Sequence, residues 1–132
     1  MAIDAVNTAL SGLFASSRQL AASANNTANV LSTTSSSTGA NVNNPYVPQE
    51  VTQKAVASGG VSTSLRDVSP PSVSLYTPDS SLADANGFVD YPNVNLEQQV
   101  ANQLLAANTY KANAATIRRA NEAYESLLDI KS

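Results

Sequence analysis

The chain has 132 residues, enough for one domain of ordinary size, and its mild formal net charge of −3 argues against a nucleic-acid partner, which would need a basic face. It contains no cysteine and no histidine, which excludes disulfides, thiol chemistry and the catalytic triads that need an imidazole. Much of the 42% hydrophobic content is alanine, so we expect the chain to bury little apolar area by itself and to complete its core against something else.

The N-terminus resembles neither a membrane span nor an ordinary secretory signal. No stretch of the chain approaches the ~20 consecutive apolar residues that cross a bilayer. Asp4 is the first charged residue, and no basic residue precedes the apolar stretch that follows it. We therefore expect that the protein either stays inside the cell or leaves by a route that reads an uncleaved N-terminus.

The first predicted element is a long helix over residues 1–31. Apolar or small residues recur there at alternating spacings of three and four, which is a heptad seam, and Leu10, Leu13 and Leu20 are among its large members. Ser17 is a polar residue within this seam. Such a residue costs stability but fixes the register and the number of partner helices.

Three asparagines, Asn25, Asn26 and Asn29, lie where this helix should end. Asparagine is unfavourable inside a helix, because its amide competes for neighbouring backbone groups. Capping of the helix end by one amide is the ordinary explanation for Asn29. It does not explain the other two, so we expect the amides to set the register against other subunits.

The middle segment, residues 32–94, contains every proline and four of the five glycines. Residues 32–44 are a polar, low-complexity stretch that we expect to be a flexible loop. Beyond them, β-branched residues between glycine and proline pairs predict short strands over residues 46–56, 60–68 and 72–77.

The acids of the middle segment favour a turn over a chemical site. Around Gly87, the spacing from Asp84 does not match a calcium loop, which needs its glycine in the sixth position and a glutamate in the twelfth. Asn86 and Gly87 predict a turn with positive φ. Paired carboxylates for hydrolysis would have to come from Asp79, Asp84 and Asp90, which we interpret as solvated surface. No catalytic, cofactor-binding or metal-binding residue is predicted.

The last predicted element is a helix over residues 95–132, with Asn95 as its N-cap and Glu97 at the favourable end of its dipole. No glycine or proline interrupts it, and its seam includes Val100, Tyr110, Ile117, Tyr124 and Leu128. The predicted fold class is mainly α. The two terminal helices pack as a coiled-coil-like pair in one helical domain, and residues 32–94 form a small extended or β-containing segment between them.

The ends of the chain also carry a resemblance. "ALSGLFASSRQLAASANNTAN" (residues 9–29) is similar to the N-terminal signature of flagellar rod and hook proteins, with an Asn-Asn-x-Ala-Asn run in which Thr27 replaces the usual isoleucine. "NVNLEQQVANQLLAANTYKANAATI" (residues 93–117) resembles the C-terminal signature, with Glu97, Tyr110, Ala112 and Asn113 on recurrent positions. Residues 44–51 and 74–95 are similar to stretches of a short proximal rod member of the flagellar basal-body rod protein family. A Ser/Thr tract before Tyr46 departs from the family pattern.

The resemblance implies a structural subunit with no enzymatic activity, cofactor, small-molecule substrate or nucleic-acid partner. Such proteins leave the cytoplasm uncleaved through the flagellar export apparatus. They assemble helically, with copies of themselves and other rod proteins, into the periplasmic rod that transmits torque. The residues that we expect at the assembly seam are Leu10, Leu13, Leu20, Asn25, Asn26, Asn29, Val100, Tyr110, Asn113, Ile117, Tyr124 and Leu128.

Two alternatives from other classes remain open at this point. The first is a soluble adaptor, a small coiled-coil binding module with a β insert. The second is an enzyme that acts on cell-wall sugars, which would need an acid pair in a pocket.

Overall fold

The computed structural model of the protein describes residues 2–35 and 46–131, in which two long helices flank a small β-containing segment. The outline predicted from the sequence is therefore confirmed, with more strand than expected. The helices are α1 (Ala2–Ala28) and α2 (Leu96–Lys131), and the strands are β1 (Thr34–Ser35), β2 (Gln49–Ala55), β3 (Val61–Asp67), β4 (Ser72–Tyr76) and β5 (Phe88–Pro92).

The two helices run antiparallel along each other. Asn26 near the end of α1 donates to Gln99 near the start of α2, while Gly12 faces Asn113 further along α2. With 27 and 36 residues, α1 and α2 are about 40 and 54 Å long at a rise of about 1.5 Å per residue. The last turns of α2 therefore extend beyond the point where α1 begins.

The helix ends follow the capping chemistry of the sequence. The Gln98 N–H donates to Asn95 Oδ1 at 2.9 Å, which confirms Asn95 as the N-cap of α2. α1 ends at Ala28, three residues before the predicted boundary, and the Asn29 side chain donates to the carbonyl oxygen of Asn25 at 2.9 Å. Residues 1 and 132 of the predicted helices lie outside the described residues.

Strands β2 and β3 form an antiparallel hairpin, with Gln49 opposite Asp67 and Ala55 opposite Val61. Both strands were predicted. Gly59 and Gly60 turn the chain between them with φ values of 92° and 88°, a region that side chains disfavour. The hairpin lies along α1.

Polar bonds fix the hairpin to α1 along its length. Arg18 donates to the carbonyl oxygen of Thr63 at 3.1 Å, and Gln53 donates to the side chain of Gln19 at 3.0 Å. These bonds supplement the packing of one face of the hairpin on the helix.

The other three strands form a second sheet in the order β1-β5-β4, antiparallel throughout. β4 was predicted, whereas β1 and β5 were not. Tyr76 of β4 and Phe88 of β5 pack edge to face, with ring centroids 5.5 Å apart.

The turn predicted at Asn86 and Gly87 is confirmed, and it leads into β5. Gly87 has a φ of 83°, and Asp84 Oδ1 accepts the backbone N–H groups of Asn86 and Phe88 at 2.8 Å each. A carboxylate that holds two backbone groups of its own turn has a structural role.

Little of the interior is made of large apolar side chains. Among the described side chains, the buried hydrophobic residues are Ala9, Ala15, Val89 and Ala106, and the buried polar residues are Ser16, Ser23 and Asn26. None of the described helices is long and apolar enough to cross a membrane. Most of the loop predicted over residues 32–44 lies outside the described residues, which resume at residue 46.

Candidate functional site

Small residues form the contact between the two helices. Ala9, Ser16 and Ser23 on α1 and Ala106 on α2 are all at most 4% exposed. Small side chains allow two helix axes to approach closely, because no long side chain separates the backbones. The face of α1 that is buried is therefore narrower and more polar than a leucine seam.

Gly12 is the tightest point of this contact. A Cβ placed on it would lie 2.5 Å from Asn113 Nδ2 and 2.9 Å from Asn113 Cγ, well inside van der Waals distance. Asn113 also donates to the carbonyl oxygen of Thr109 at 3.0 Å. The glycine is therefore what lets the Asn113 side chain lie against the α1 backbone.

Ser11, next to Gly12 on α1, contacts the hairpin rather than α2. Its hydroxyl donates to the carbonyl oxygen of Thr8 at 2.7 Å and accepts the N–H of Val61 at 3.1 Å. A Cβ on Gly60 would lie 2.4 Å from the same oxygen. Two consecutive residues of α1 thus contact the tip of the hairpin and the middle of α2.

The predicted seam residues do not form one buried surface within the chain. Leu10 and Leu20, at 41% exposed each, lie outside the small-residue contact. Those that are half-buried are Leu13, Asn29, Asn113, Ile117 and Tyr124, and those that are exposed are Asn25, Val100, Tyr110 and Leu128. In the single chain, the heptad pattern thus differs from the packed face. A role of these residues toward other subunits stays a prediction.

The heptad pattern in the sequence did not predict the small-residue face of α1, because a search for apolar periodicity gives most weight to leucine. Ala9, Gly12, Ser16 and Ser23 recur at spacings of three, four and seven, so the signal was present in residue size. On α1 this stripe runs beside the leucine stripe, one helix position earlier.

Asn26 is the most fully bonded side chain of the junction between the helices and the hairpin. It is 3% exposed, and its Nδ2 donates to the Gln49 carbonyl oxygen at 2.7 Å and to Gln99 Oε1 at 3.2 Å. Its Oδ1 accepts the Gln49 N–H at 3.0 Å and the Tyr46 hydroxyl at 2.7 Å. An amide offers two donor hydrogens and one acceptor oxygen with two lone pairs, so its capacity is used within the chain.

The other two asparagines of the run have different surroundings. Asn29 donates to the Asn25 carbonyl oxygen and accepts the Ser32 hydroxyl at 3.2 Å, which is the capping role expected for it. Asn25 is exposed, and its side-chain amide bonds no other described residue. Of the three amides, Asn25 therefore has the most capacity left for another chain.

Tyr46 is held in the same junction. Burial raises the pKa of its phenol above the ordinary value of about 10. The group is neutral at physiological pH and donates its proton to Asn26 Oδ1.

Two grooves run over α1 between the hairpin and α2, each with a volume of about 450 Å³. Gln19 belongs to both. Ala15, Ser16 and Ala106 line the first, and the second is mostly polar, lined by amides that include Asn26 and Asn102. The grooves contain no cluster of acids or of imidazoles that would give them chemistry.

Some charged residues outside the grooves have local partners. Arg118 lies 3.8 Å from Glu122 across one helical turn. Asp90 accepts the Ser74 hydroxyl across the β4–β5 pair. Over residues 2–35 and 46–131, no group of three potential metal ligands comes together.

The chain is similar to flagellar proteins over most of its length. It is 33% identical over 109 residues to the flagellar basal-body rod protein FlgC of Salmonella typhimurium, spanning 78% of each protein. It is 32% identical to the FlgC protein of Escherichia coli O6:H1, spanning 81% of each, and 29% identical to that of Borreliella burgdorferi, spanning 95% of this chain and 94% of the relative. No family model matches the chain.

The two terminal helices pack through small residues and expose their large apolar ones, and a small β segment lies between them. This arrangement is typical of a structural subunit. The relatives make this class more specific. The chain belongs to the FlgC family of flagellar basal-body rod proteins. It is thus a structural protein of the rod in the basal body of the bacterial flagellum.

Proposed function

We propose that this protein is exported uncleaved through the flagellar export apparatus and polymerises helically through its terminal helices. It assembles with copies of itself and with other rod proteins. The product is the periplasmic rod, a drive shaft that transmits torque. The observation that supports this proposal best is the exposure of the large apolar side chains of both helices.

These side chains are too exposed to contribute much to the single chain. Phe14 of α1 is 65% exposed and Leu104 of α2 is 63% exposed. The others on the helices that are at least 40% exposed are Leu10, Leu20, Leu96, Val100, Leu105, Tyr110, Leu127, Leu128 and Ile130. Burial of such area against a neighbour stabilises it by about 25 cal/mol per Å².

The division between small inner and large outer side chains suits a helical assembly. Helices that approach closely through alanine, serine and glycine form a thin pair, and the leucines then face neighbouring subunits. When one surface of a subunit contacts a different surface of the next, the contact does not close and generates a filament. Many modest contacts then share the applied load.

The small interior also suits export. Because few large side chains are buried, little free energy holds the described part of the chain in its folded form. A marginally stable chain unfolds readily to pass a narrow channel, and it regains stability by mass action when neighbours bind the folded form.

Basal bodies purified from cells that produce a tagged chain test the proposal. The chain should be found in the rod, and Phe14→Asp should lower its incorporation, since the interface would bury an unpaired carboxylate. Phe14→Leu is the matched control and should assemble. Because Phe14 is largely exposed, neither variant should change the thermal stability of the monomer much.

Three results would contradict parts of the proposal. A chain that stays in the soluble fraction and never accompanies basal bodies would be an adaptor rather than a rod subunit. Normal incorporation of both Phe14→Asp and Leu104→Asp would remove the exposed helix faces from the interface. A processed N-terminus on the assembled protein would contradict uncleaved export.

A further inference from the structure

The turn before β5 contains a pair of residues with a chemistry of its own, Asn86 and Gly87. Asn86 is the only asparagine of the sequence that is followed directly by glycine. In such a pair the backbone nitrogen of the glycine can attack the side-chain Cγ of the asparagine, because no Cβ on the second residue hinders ring closure. The Asn86 side chain is exposed, and its amide bonds no other described residue. The carbon that would be attacked is therefore accessible.

The packing of the turn requires the glycine of this pair. Gly87 has a φ of 83°, a backbone conformation that side chains disfavour. A Cβ placed on it would also lie 2.8 Å from Tyr76 Cε2 and 3.2 Å from Pro78 Cβ. Two independent constraints thus hold a glycine after Asn86, so half of the reactive pair is a consequence of how this turn is built.

Asp84 closes the turn around the reacting atoms with four hydrogen bonds. Its carbonyl oxygen accepts the Gly87 N–H at 3.0 Å, and its own N–H donates to the Phe88 carbonyl oxygen at 2.9 Å. Its Oδ1 accepts the N–H groups of Asn86 and Phe88 at 2.8 Å each. Each of these bonds includes Asp84, so one residue holds the peptide groups on both sides of Asn86.

We propose that Asn86 is a deamidation site that the hydrogen bonds of Asp84 keep closed in the folded protein. To react, the Gly87 nitrogen must give up its proton and turn toward Cγ of Asn86. In the folded chain the Gly87 N–H donates to Asp84, and the bond from the Asn86 N–H to the same residue opposes rotation of the peptide groups. The reaction therefore proceeds only when the turn opens. This inference goes beyond the proposed function and does not depend on how the chain assembles.

The chemical step needs water and no other reactant. A bond forms between the Gly87 nitrogen and Cγ of Asn86, and the bond from Cγ to the side-chain nitrogen breaks. That nitrogen takes up the proton lost by Gly87 and leaves as ammonia, so that a cyclic imide remains. Water then opens the imide at either of its carbonyl groups. The product is aspartate, or isoaspartate, in which the main chain runs through Cβ and Cγ.

The isoaspartate product would not fit this turn, because it adds a carbon atom to the main chain. The Gly87 carbonyl oxygen accepts the Thr77 N–H at 2.8 Å, and the strand that begins at Phe88 continues this pairing. An inserted atom shifts these groups out of register. β5 is the middle strand of its sheet and contains Val89, which is 1% exposed. Chains modified while the turn is open therefore cannot pair β5 as the unmodified chain does.

Peptide mass spectrometry of the full-length protein measures deamidation at residue 86 over time. In buffer we expect Asp84→Ala to react at Asn86 about tenfold or more faster than the wild-type protein, because two bonds to a carboxylate are lost from the turn. Asp84→Asn keeps an oxygen acceptor and should react at an intermediate rate. Asp79→Ala removes an exposed acid of the same segment, and as the matched control it should react at the wild-type rate.

Unfolding in urea separates the turn from the other effects of Asp84. The wild-type protein should react at Asn86 about tenfold or more faster in urea than in buffer, and in urea it should match Asp84→Ala. A faster rate of Asp84→Ala that persists in urea would mean that the aspartate acts through its charge, and the closed turn would not be the cause. Equal rates for folded and unfolded wild-type protein would overturn the inference, and this comparison decides it even where Asp84→Ala fails to fold. It is also overturned if Asn86 reacts no faster in urea than the other asparagines.

The two products test the consequence for β5. Protein deamidated in urea is returned to buffer, and chains with isoaspartate at position 86 are separated from the others. The amide hydrogens of β5 should lose their protection from exchange in these chains. Asn86→Asp is the matched control, since it has the other product of the reaction without the extra main-chain atom, and it should keep the protection. Equal protection in both would contradict the loss of β5 pairing.

Discussion

Gly12 of α1 and Asn113 of α2 fit together as backbone against side chain, with room at the glycine for a hydrogen atom and not for a methyl group. The Asn113 amide lies over the α1 backbone and donates to Thr109 of its own helix. The separation of the helices at this level is therefore set by two residues, one on each terminal segment of the chain.

The first prediction concerns this pair. In an ordinary helix, Gly→Ala stabilises by about 1 kcal/mol, but here the added methyl group displaces Asn113. Gly12→Ala should therefore give little or no gain in the free energy of unfolding, whereas Gly12→Ala combined with Asn113→Ala should recover about 1 kcal/mol. Urea unfolding of the four proteins of the cycle measures the coupling.

The control for this cycle pairs Asn113→Ala with Ser17→Ala, an exposed position on α1. These two substitutions should be additive. If Gly12→Ala is equally additive with Asn113→Ala, the close contact does not limit the approach of the helices.

A second prediction follows from the buried amide of Asn26. Asn26→Ala removes the partner of both backbone groups of Gln49 and of the Tyr46 hydroxyl. We expect a loss of about 3 kcal/mol in the free energy of unfolding, because buried polar groups are left unpaired. Thermal unfolding followed by circular dichroism measures it.

The neighbouring asparagine is the matched control. Asn25→Ala should change stability by no more than about 0.5 kcal/mol, since its side chain is exposed and alanine favours the helix. In rod assembly we expect the opposite order. Once the loss of monomer stability is allowed for, Asn25→Ala should impair assembly more than Asn26→Ala, because the Asn25 amide is available to a neighbouring subunit. Equal destabilisation by the two substitutions would contradict the junction described for Asn26.

The third prediction is a pH dependence. Burial raises the pKa of Tyr46, so the folded chain binds the phenolic proton more tightly than the unfolded chain does. This contribution is complete below pH 10 and is lost as pH rises through the folded-state pKa, because the unfolded state ionises first. The free energy of unfolding should therefore fall more steeply above pH 10 in the wild-type protein than in Tyr46→Phe.

Tyr76→Phe, at a tyrosine that is 67% exposed, is the matched control for the loss of a phenol hydroxyl elsewhere in the chain. A wild-type slope that survives in Tyr46→Phe would assign the dependence to another group.

The fourth prediction concerns the end of α2. Residues 125–131 lie at the end of α2 past the start of α1, apart from Leu128, which lines a depression with Val6. Their amide hydrogens should exchange fast in the monomer, while those near Ala106 and Asn113 are protected. Hydrogen exchange with mass spectrometry on monomer and on isolated rods compares the two states. Protection of this end should appear on assembly, and protection already complete in a verified monomer would contradict the prediction.

The sequence predicted the elements with strong local signals. The helices were predicted within a few residues from long runs without proline and from the N-cap at Asn95. β2, β3 and β4 were predicted as closely from the glycine and proline pairs that bound them. Local chemistry decided those boundaries. Local chemistry also decided the turn at Gly87. It depends on the positive φ of Gly87 and on the hydrogen bonds of Asp84 to backbone groups of the same turn, all within five residues.

Tertiary pairing decided what the sequence did not predict. β5 lies between β1 and β4, and β1 comes from more than fifty residues earlier in the chain. The residues of β5 themselves showed only the turn that precedes the strand. The buried face of α1 is selected by how closely α2 can approach, which favours Ala9 and Gly12 over Leu10. The fourfold bonding of Asn26 depends on a strand that begins more than twenty residues later, and no local pattern indicates it.

Asn26 has one further consequence, which is mechanical. A single rigid amide is held by the first residue of the hairpin and by Gln99 of α2 at once. Sliding the hairpin along α1, or α2 past α1, by even one helical turn would break bonds to both. Shear applied to the middle segment is therefore shared with both helices, so that the three parts resist deformation as one body.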